Sequence, residues 1–136
     1  MPSFSKRSRD RLCGVHPDLQ TLMNQVVQDF DITVICGLRT QEEQQALYEK
    51  GRKTPGQIVT YKDGVERRSK HQDGLAVDVG PWPLNWHDTE RFTAMGWYIK
   101  GAANALKECG RIDNDIEWGG DWQFKDLPHF QIKSKG

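Results

Sequence analysis

The 136-residue sequence has no run of about 18 apolar residues, which a membrane-spanning helix requires. Its first residues lack the apolar segment of a secretory signal. It also lacks internal repeats and low-complexity segments, and its length leaves room for one hydrophobic core. We therefore expect one soluble domain over residues 1–136 that accumulates in the cytosol and does not insert stably into a membrane.

The sequence has no excess of either charge, because 19 Lys and Arg residues balance 19 Asp and Glu residues. Without a net field the chain has no general attraction for nucleic acid, so we expect no nucleic-acid partner. Basic residues are concentrated only in Lys6–Arg11. We expect residues 1–12 to form a flexible, solvated basic N-terminus. The alternative is that this stretch is drawn to an anionic envelope polymer or to membrane lipid.

Cysteine is scarce, and its three copies, Cys13, Cys36 and Cys109, are too far apart to form a Cys-x-x-Cys motif. Three cysteines cannot all pair, and we expect reduced thiols in a cytosolic protein. A cysteine ligand to a metal stays open as an alternative, but histidine and acidic residues offer a simpler set.

Two stretches, 69–79 and 126–130, contain the residues best suited to hold a metal. Catalytic zinc commonly takes three protein ligands from histidine and acidic residues and leaves a fourth position for water. His71, Asp78 and His129 would supply that number. Alternation along the strand would turn Asp78 away from the apolar face. We therefore predict one zinc ion per chain; the alternative on residue chemistry alone is that these histidines are only hydrogen-bonded, because the three ligands lie far apart in the sequence.

A carboxylate beside a zinc-bound water can take its proton during attack on a carbonyl and return it to the leaving amine. Asp126 lies three residues before His129, and Pro128 between them disfavours a helix, so both side chains can face one cavity. We predict Asp126 as the catalytic acid/base. Glu117 and Asp121 are the alternatives.

The hydrophobic pattern predicts an α+β domain. Helical spacing and start signals predict about three helices, beginning near Pro17, Thr40 and Asp88. Alternating or β-branched runs predict four strands, at 31–36, 75–79, 116–118 and 129–132. We expect the helices to pack on an antiparallel or mixed sheet that carries the zinc site. The irregular stretch 51–70 would flank the cleft, with a small hairpin around Asp63-Gly64.

Four further residues are candidates for substrate binding, and each has a structural alternative. Gln44 can point toward the site or be an ordinary exposed helix residue. Ser69 can contact substrate or bond to local backbone. Trp118 and Trp122 can wall the cleft, as aromatics often do, or pack in the core.

The order of these motifs resembles that of the D-Ala-D-Ala metallopeptidases, which include the vancomycin-resistance dipeptidases and carboxypeptidases. The matching pattern is Ser69-x-His71-x-x-Gly74-x-Ala76-x-Asp78 followed by Asp126-x-x-His129. Other segments are similar to the phage L-alanyl-D-glutamate endopeptidases: Gly14-Val15-His16-Pro17-x-Leu19, Gly37-Leu38-Arg39-Thr40-x-x-x-Gln44, Gly51-Arg52-x-Thr54-Pro55-Gly56 and Glu117-Trp118-Gly119-Gly120-x-Trp122. The resemblance covers nearly the whole chain in the same order.

The resemblance implies that His71, Asp78 and His129 hold zinc, that Asp126 is the acid/base, and that Arg39 holds or polarises substrate. From its position alone, at a loop mouth, Arg39 could equally be solvated or ion-paired. The dipeptidase branch has Glu at the position of Asp126, whereas phage endolysins of this type have Asp.

The function implied is hydrolysis of the L-alanyl-D-glutamate bond in the peptidoglycan stem peptide. The enzyme would stay in the host cytoplasm until a separate lysis protein lets it reach the wall, and we expect a monomer. Two alternatives remain. One is a D,D-carboxypeptidase or dipeptidase with the same machinery; the other is a zinc-stabilised wall-binding module without catalysis.

Overall fold

A computed structural model describes residues 2–134, which form an α+β domain as predicted. Four α-helices and four strands occur in the described chain, in the order α1 (Lys6–Leu12), α2 (Pro17–Val26), β1 (Ile32–Cys36), α3 (Gln41–Glu49), β2 (Ala76–Pro81), α4 (Thr89–Glu108), β3 (Ile116–Trp118) and β4 (His129–Ile132). Two 3-10 turns, Lys70–Asp73 and Gly119–Asp121, precede β2 and β4. Among the described residues, no helix is long and apolar enough to cross a membrane.

The four strands form one sheet in the order β1-β2-β4-β3, and every neighbouring pair is antiparallel. Of the two predicted arrangements, the sheet is therefore the antiparallel one. The register places Asp78 of β2 opposite Cys36 of β1 and opposite His129 of β4. Residues far apart in the sequence thus become neighbours across the two central strands.

One face of the sheet packs on α4, which packs in turn on α2, and the core lies between these elements. Val77 and Val79 of β2 are fully buried in it, so Asp78 between them points to the opposite face, as the alternation predicts. The helices contribute buried residues at helical spacing: Leu19, Leu22, Met23 and Val26 of α2, and Phe92, Met95, Ile99, Ala103 and Leu106 of α4. The open face is left for the site.

The three predicted helices begin where their start signals lie. Pro17 is the first residue of α2, and the preceding His16 accepts the amide N–H of Asp18. Thr40 caps α3 in a reciprocal capping box with Glu43. The carboxylate of Asp88 caps α4.

The N-terminal segment corrects an expectation, because a helix stands where we expected a flexible chain. Phe4, Ser8 and Leu12 recur every four residues and are buried, and α1 packs on β1. Arg11 donates a hydrogen bond of 2.9 Å to a backbone carbonyl of β1, so this cation serves the fold. The buried stripe contains only one polar and two apolar residues, so it is difficult to recognise in the sequence among the surrounding charged residues. Met1 lies outside the described residues.

The expected hairpin around Asp63-Gly64 is wrong. Within the described chain no strand pair forms at 61–67. Instead the Asp63 carboxylate accepts the backbone N–H groups of Val65, Glu66 and Arg67 at 2.9 to 3.0 Å. An aspartate that bonds the following amides closes a local turn and removes donors that a strand ladder would use.

Candidate metal centre

The three predicted ligands, His71, Asp78 and His129, meet on the open face of the sheet. Asp78 Oδ1 lies 3.3 Å from His71 Nε2 and 3.1 Å from His129 Nδ1. The two imidazole rings stand 5.1 Å apart, edge to face. One carboxylate oxygen is therefore shared by two ring nitrogens that come from different parts of the chain.

The turn before β2 brings His71 to this position. Ser69 Oγ accepts the amide N–H of His71 and caps the 3-10 turn, which ends at Gly74 with a φ of +71°. A Cβ at Gly74 would lie 2.6 Å from the carbonyl oxygen of Gly14. Glycine is thus required both for the left-handed backbone and for the close approach of the two segments.

Hydrogen bonds on the far side of each ring orient both histidines. His71 Nδ1 donates to the carbonyl oxygen of Gly37 at 2.9 Å, and His129 Nε2 donates to Gln131 Oε1 at 2.8 Å. In the neutral tautomers that these bonds select, the nitrogens that face Asp78 carry the lone pairs that could bind a metal. This pattern, in which an outer partner fixes the ring and its tautomer, is typical of metal-ligating histidines.

The electrostatics of the cluster favour a positive charge between the rings. Burial is the largest single influence and would lower the pKa of His71, but the hydrogen bonds with Asp78 and Cys36 and the charge of Asp78 together outweigh it and raise that pKa to about 9. Burial would also raise the pKa of Asp78, yet its bonds with His129 and His71 hold it well below the usual range. Asp78 therefore stays ionised and attracts a cation, either a proton or a metal ion.

Cys36 offers a second grouping with the same residues, because its thiol lies close to His71 and Asp78. Its Sγ is 3.9 Å from His71 Nδ1, the nitrogen already bonded to the Gly37 carbonyl. Arg39 Nη2 also donates to Cys36 Sγ at 3.3 Å, and a guanidinium there opposes a second cation. We therefore favour His129 over Cys36 as the third ligand.

The donor set fits zinc. Two imidazole nitrogens and one carboxylate oxygen match the ligand types and the number that leave a catalytic zinc one open position. The three residues line an open cleft with a volume of about 560 Å³, so solvent can reach the side chains that would hold the ion.

Asp126 lies at the edge of this cluster, with Oδ2 4.0 Å from His129 Nδ1 and its side chain half exposed to the cleft. Burial, and then the charge of Asp78, raise the pKa of Asp126. The Asp126 amide donates to the Gly119 carbonyl at 3.0 Å, and a Cβ at Gly119 would lie 2.2 Å from Asp126 O. The glycine thus lets the Asp126 segment approach the sheet.

The two alternatives to Asp126 are engaged elsewhere. Glu117 Oε1 accepts Gln131 Nε2 at 3.0 Å and Trp122 Nε1 at 3.3 Å, so it anchors the residue that orients His129. Asp121 is paired with Lys100 at 2.7 Å. Of the three carboxylates, only Asp126 lines the cleft.

Arg39 lines the cleft and is held on both sides. Its Nη1 donates to Gln44 Oε1 at 2.6 Å, its Nη2 contacts Cys36, and its backbone N–H donates to His71 O at 3.0 Å. The guanidinium is therefore fixed relative to the His71-Asp78-His129 cluster. This places Arg39 where it can meet an anionic group of a ligand.

Two predicted substrate contacts have structural tasks instead. Gln44 is fully buried and donates to the carbonyl oxygen of Lys62 at 2.7 Å, so it supports Arg39 and the cleft loop rather than facing a ligand. Ser69 is largely buried, and its hydroxyl caps the turn of His71, although the residue does contribute to the cleft lining. The local-backbone alternative for Ser69 is thus the bond that the structure contains.

Of the two tryptophans, one lies in the core and the other lines the cleft. Trp118 is only 2% exposed, stacks on Phe130, and donates its Nε1–H to Leu127 O at 2.8 Å, so it is a core residue. Trp122 lines the cleft with its ring 5.2 Å from that of His129. Trp122 therefore lines the cleft and Trp118 does not, and a substrate contact of Trp122 stays a prediction.

The expectation that the stretch 51–70 flanks the cleft is correct, because Lys62 and Lys70 of that stretch line it. Trp86 and Gln131 line it as well, and none of these four residues was singled out from the sequence. A signal existed for Gln131, which lies two residues after His129 and so shares its face of β4. The other three lie outside the strands, and the sequence has no periodicity that would orient them.

An antiparallel sheet that carries a His-Asp-His cluster in an open cleft, with the Asp126 carboxylate beside it, has the groups that a metal-dependent hydrolase needs. The family model described as phage L-alanyl-D-glutamate peptidase matches residues 2–135. The chain therefore belongs to the phage L-alanyl-D-glutamate peptidase family, as the motif resemblance indicates.

Individual relatives agree with this assignment. The chain is 32% identical over 111 residues to the peptidoglycan L-alanyl-D-glutamate endopeptidase CwlK of Bacillus subtilis (strain 168), covering 75% of this chain and 60% of CwlK. The crystal structure of the L-Ala D-Glu endopeptidase ChiX of Serratia marcescens superposes with a TM-score of 0.71 at 30% identity, over 96% of this chain and 90% of ChiX. The LD-carboxypeptidase LdcB shares the fold, with a TM-score of 0.55 at 18% identity over 95% of this chain and 58% of LdcB.

Proposed function

We propose that this chain hydrolyses the L-alanyl-D-glutamate bond of the peptidoglycan stem peptide, with one zinc ion held by His71, Asp78 and His129. The observation that carries the proposal is the position of Asp78 Oδ1 within 3.3 Å of both histidines, in a cleft that also contains Asp126. Family membership and the likeness to CwlK and ChiX support the choice of bond.

The zinc ion and Asp126 would have different roles in the reaction. A zinc ion bound here would supply Lewis acidity and lower the pKa of a water molecule. Asp126 takes a proton from the attacking water while the oxygen of that water adds to the carbonyl carbon of L-alanine. Asp126 then gives the proton to the D-glutamate nitrogen as the C–N bond breaks. Its raised pKa suits both steps, because the carboxylate is basic enough to accept and acidic enough to return the proton.

Substrate orientation follows from the charges along the cleft. Arg39, Lys62 and Lys70 all contribute to its lining. The stem peptide has carboxylates on and after D-glutamate, so these cations would hold the part of the substrate that follows the scissile bond. Arg39, fixed by Gln44 and Cys36, would bind a carboxylate or the developing oxyanion.

The biological context proposed is phage lysis. The enzyme would be made in the host cytoplasm, act as a monomer, and reach the wall through a membrane lesion made by another protein. Expressing the chain in host cells with and without a separate pore-forming lysis protein tests this route. Lysis is expected only when both are present, and lysis by the chain alone would contradict the route.

The decisive test of the bond is product analysis. Purified Gram-negative peptidoglycan should yield fragments with a new L-alanine carboxyl end and a new D-glutamate amino end, identified by mass spectrometry. Release of D-alanine instead would support the D,D-carboxypeptidase or dipeptidase alternative. Wall binding without any cleavage by the unchanged protein would support the binding-module alternative.

A further inference from the structure

Trp86 is an exposed aromatic residue at the rim of the cleft that the chemistry described so far does not use. It lies between β2 and α4 and lines the same cleft as Asp78 and Asp126, yet 56% of its surface is exposed. Its ring stacks on the buried ring of Phe92, with centroids 5.5 Å apart and planes inclined by 18°. One face of the indole is therefore supported by the core, and its remaining surface is free for a ligand.

The cleft has two chemically different ends. In the antiparallel pair β1 and β2, Cys36 is opposite Asp78 and Ile32 is opposite Pro81. Arg39 comes three residues after Cys36, at one end of this strand pair. Trp86 comes five residues after Pro81, at the other end. Asp78 thus lies between a cationic end and an aromatic end.

The proposed substrate also has two chemically different ends, one acidic and one neutral. The residues after the L-alanyl-D-glutamate bond are acidic, and they suit the end with Arg39. Before the bond comes L-alanine, whose nitrogen is joined through a lactyl group to an N-acetylmuramyl sugar. L-alanine and the lactyl group together span roughly 7 Å in an extended chain. The three residues from Asp78 to Pro81 span roughly 10 Å, so a sugar would come close to the aromatic end.

We propose that Trp86 is a stacking platform for the N-acetylmuramyl sugar, so that the enzyme prefers stem peptides still attached to the glycan over free peptides. The sugar is neutral at this end and presents a flat C–H face, which packs well on an indole. This inference rests on the proposed function and adds a subsite to it.

The test compares two substrates that differ only in the sugar. Both contain L-Ala-D-Glu-diaminopimelate; in one the L-alanine nitrogen is acylated by the lactyl group of N-acetylmuramic acid, and in the other by acetate. The ratio of their kcat/KM values, measured with the zinc-supplemented full chain, reports the sugar contact. The expected ratio is roughly five to ten in favour of the muramyl substrate.

Variants test whether Trp86 causes the preference for the muramyl substrate. Trp86→Ala should bring the ratio close to one, and Trp86→Phe, which keeps a flat ring, should keep part of the preference. Trp97→Ala is the matched control, because Trp97 is equally exposed but lies on α4 and does not line the cleft. It should keep the full ratio.

A measurement without substitution covers the case in which Trp86→Ala does not fold. In NMR titrations, N-acetylmuramyl-L-alanine should shift the indole N–H resonance of Trp86, and N-acetyl-L-alanine should not. A ratio near one in the unchanged chain, an unchanged ratio in Trp86→Ala, or equal shifts with both titrants would overturn the inference while leaving the proposed function in place. Failure to cleave either substrate would overturn the proposed function and this inference with it.

Discussion

Arg39 Nη1 donates a hydrogen bond of 2.6 Å to Gln44 Oε1, and the amide nitrogen of the same Gln44 donates to the carbonyl oxygen of Lys62 at 2.7 Å. One buried amide therefore connects the arginine of the cleft to the loop that forms its wall. The relationship explains why a glutamine four residues into α3 is fully buried although glutamine usually faces solvent on a helix. Gln44 acts through Arg39 and is a positioning residue.

Replacing Gln44 by Ala should lower kcat/KM about 10- to 100-fold, because Arg39 loses the bond that fixes its guanidinium. The unpaired Lys62 carbonyl should also cost about 1–3 kcal/mol of unfolding free energy. Steady-state kinetics and urea denaturation measure the two effects. Gln45→Ala, one residue further on α3, is the control and should resemble the unchanged protein. Normal kinetics in Gln44→Ala would show that Arg39 needs no such support.

Asp126→Asn should lower kcat by about 10²- to 10⁴-fold, because an amide cannot accept the proton of the attacking water. The bound metal should stay, since Asp126 is not among the proposed ligands. Metal analysis together with cleavage assays checks both statements. Asp121→Asn, which removes only the surface pair with Lys100, should keep its activity. If the two variants lost activity equally, the assignment of Asp126 would fail.

Gly119→Ala should inactivate the enzyme although it replaces no proposed catalytic residue. The new Cβ would lie 2.2 Å from the backbone oxygen of Asp126, so the segment must shift and move the carboxylate away from the cluster. Cleavage assays and thermal unfolding measure the effect. Gly101→Ala on α4 meets nothing within 4 Å and should instead stabilise the protein by about 0.5–1 kcal/mol. Full activity in Gly119→Ala would contradict the role given to this close approach.

Asp18 should contribute stability that disappears in acid. Burial would raise its pKa, but the side-chain and backbone donors of Asn114 and the backbone of Asp113, at 2.9 to 3.0 Å, lower it below the ordinary value of 3.8. Its contribution is therefore complete above about pH 3.8 and is lost as the pH falls through the lower folded-state pKa.

Asp18→Asn tests this contribution. At pH 7 the variant should be less stable by about 1–3 kcal/mol, because a charged acceptor is lost. The difference from the unchanged protein should shrink as the pH falls below the ordinary aspartate value, and paired denaturation curves measure it. A difference that stayed constant with pH would show that the carboxylate charge has no part in the effect.

The parts of the fold that local patterns specify could be predicted from the sequence. The strand positions, the capping box at Thr40 and the alternation that turns Asp78 away from the core depend only on nearby residues. The meeting of His71, Asp78 and His129 is long-range, and it was predicted from the ligand chemistry together with the motif resemblance rather than from periodicity.

The remaining features depend on contacts between distant segments. The buried stripe of α1 contains only Phe4, Ser8 and Leu12, too few to stand out among charged neighbours. The burial of Gln44 results from its pairing with Lys62, eighteen residues away. Trp118 and Trp122 have the same chemistry in the sequence, and only the tertiary structure separates core from cleft.

The central claim is that two imidazoles and one carboxylate hold a metal ion on which the activity depends. The most direct measurement is the zinc-to-protein ratio, by plasma mass spectrometry, in protein purified without chelators and shown to cleave peptidoglycan. We predict a ratio of one in the unchanged chain and a ratio close to zero in His129→Ala. Active protein without a stoichiometric metal ion, or an undiminished ratio in His129→Ala, would contradict the account.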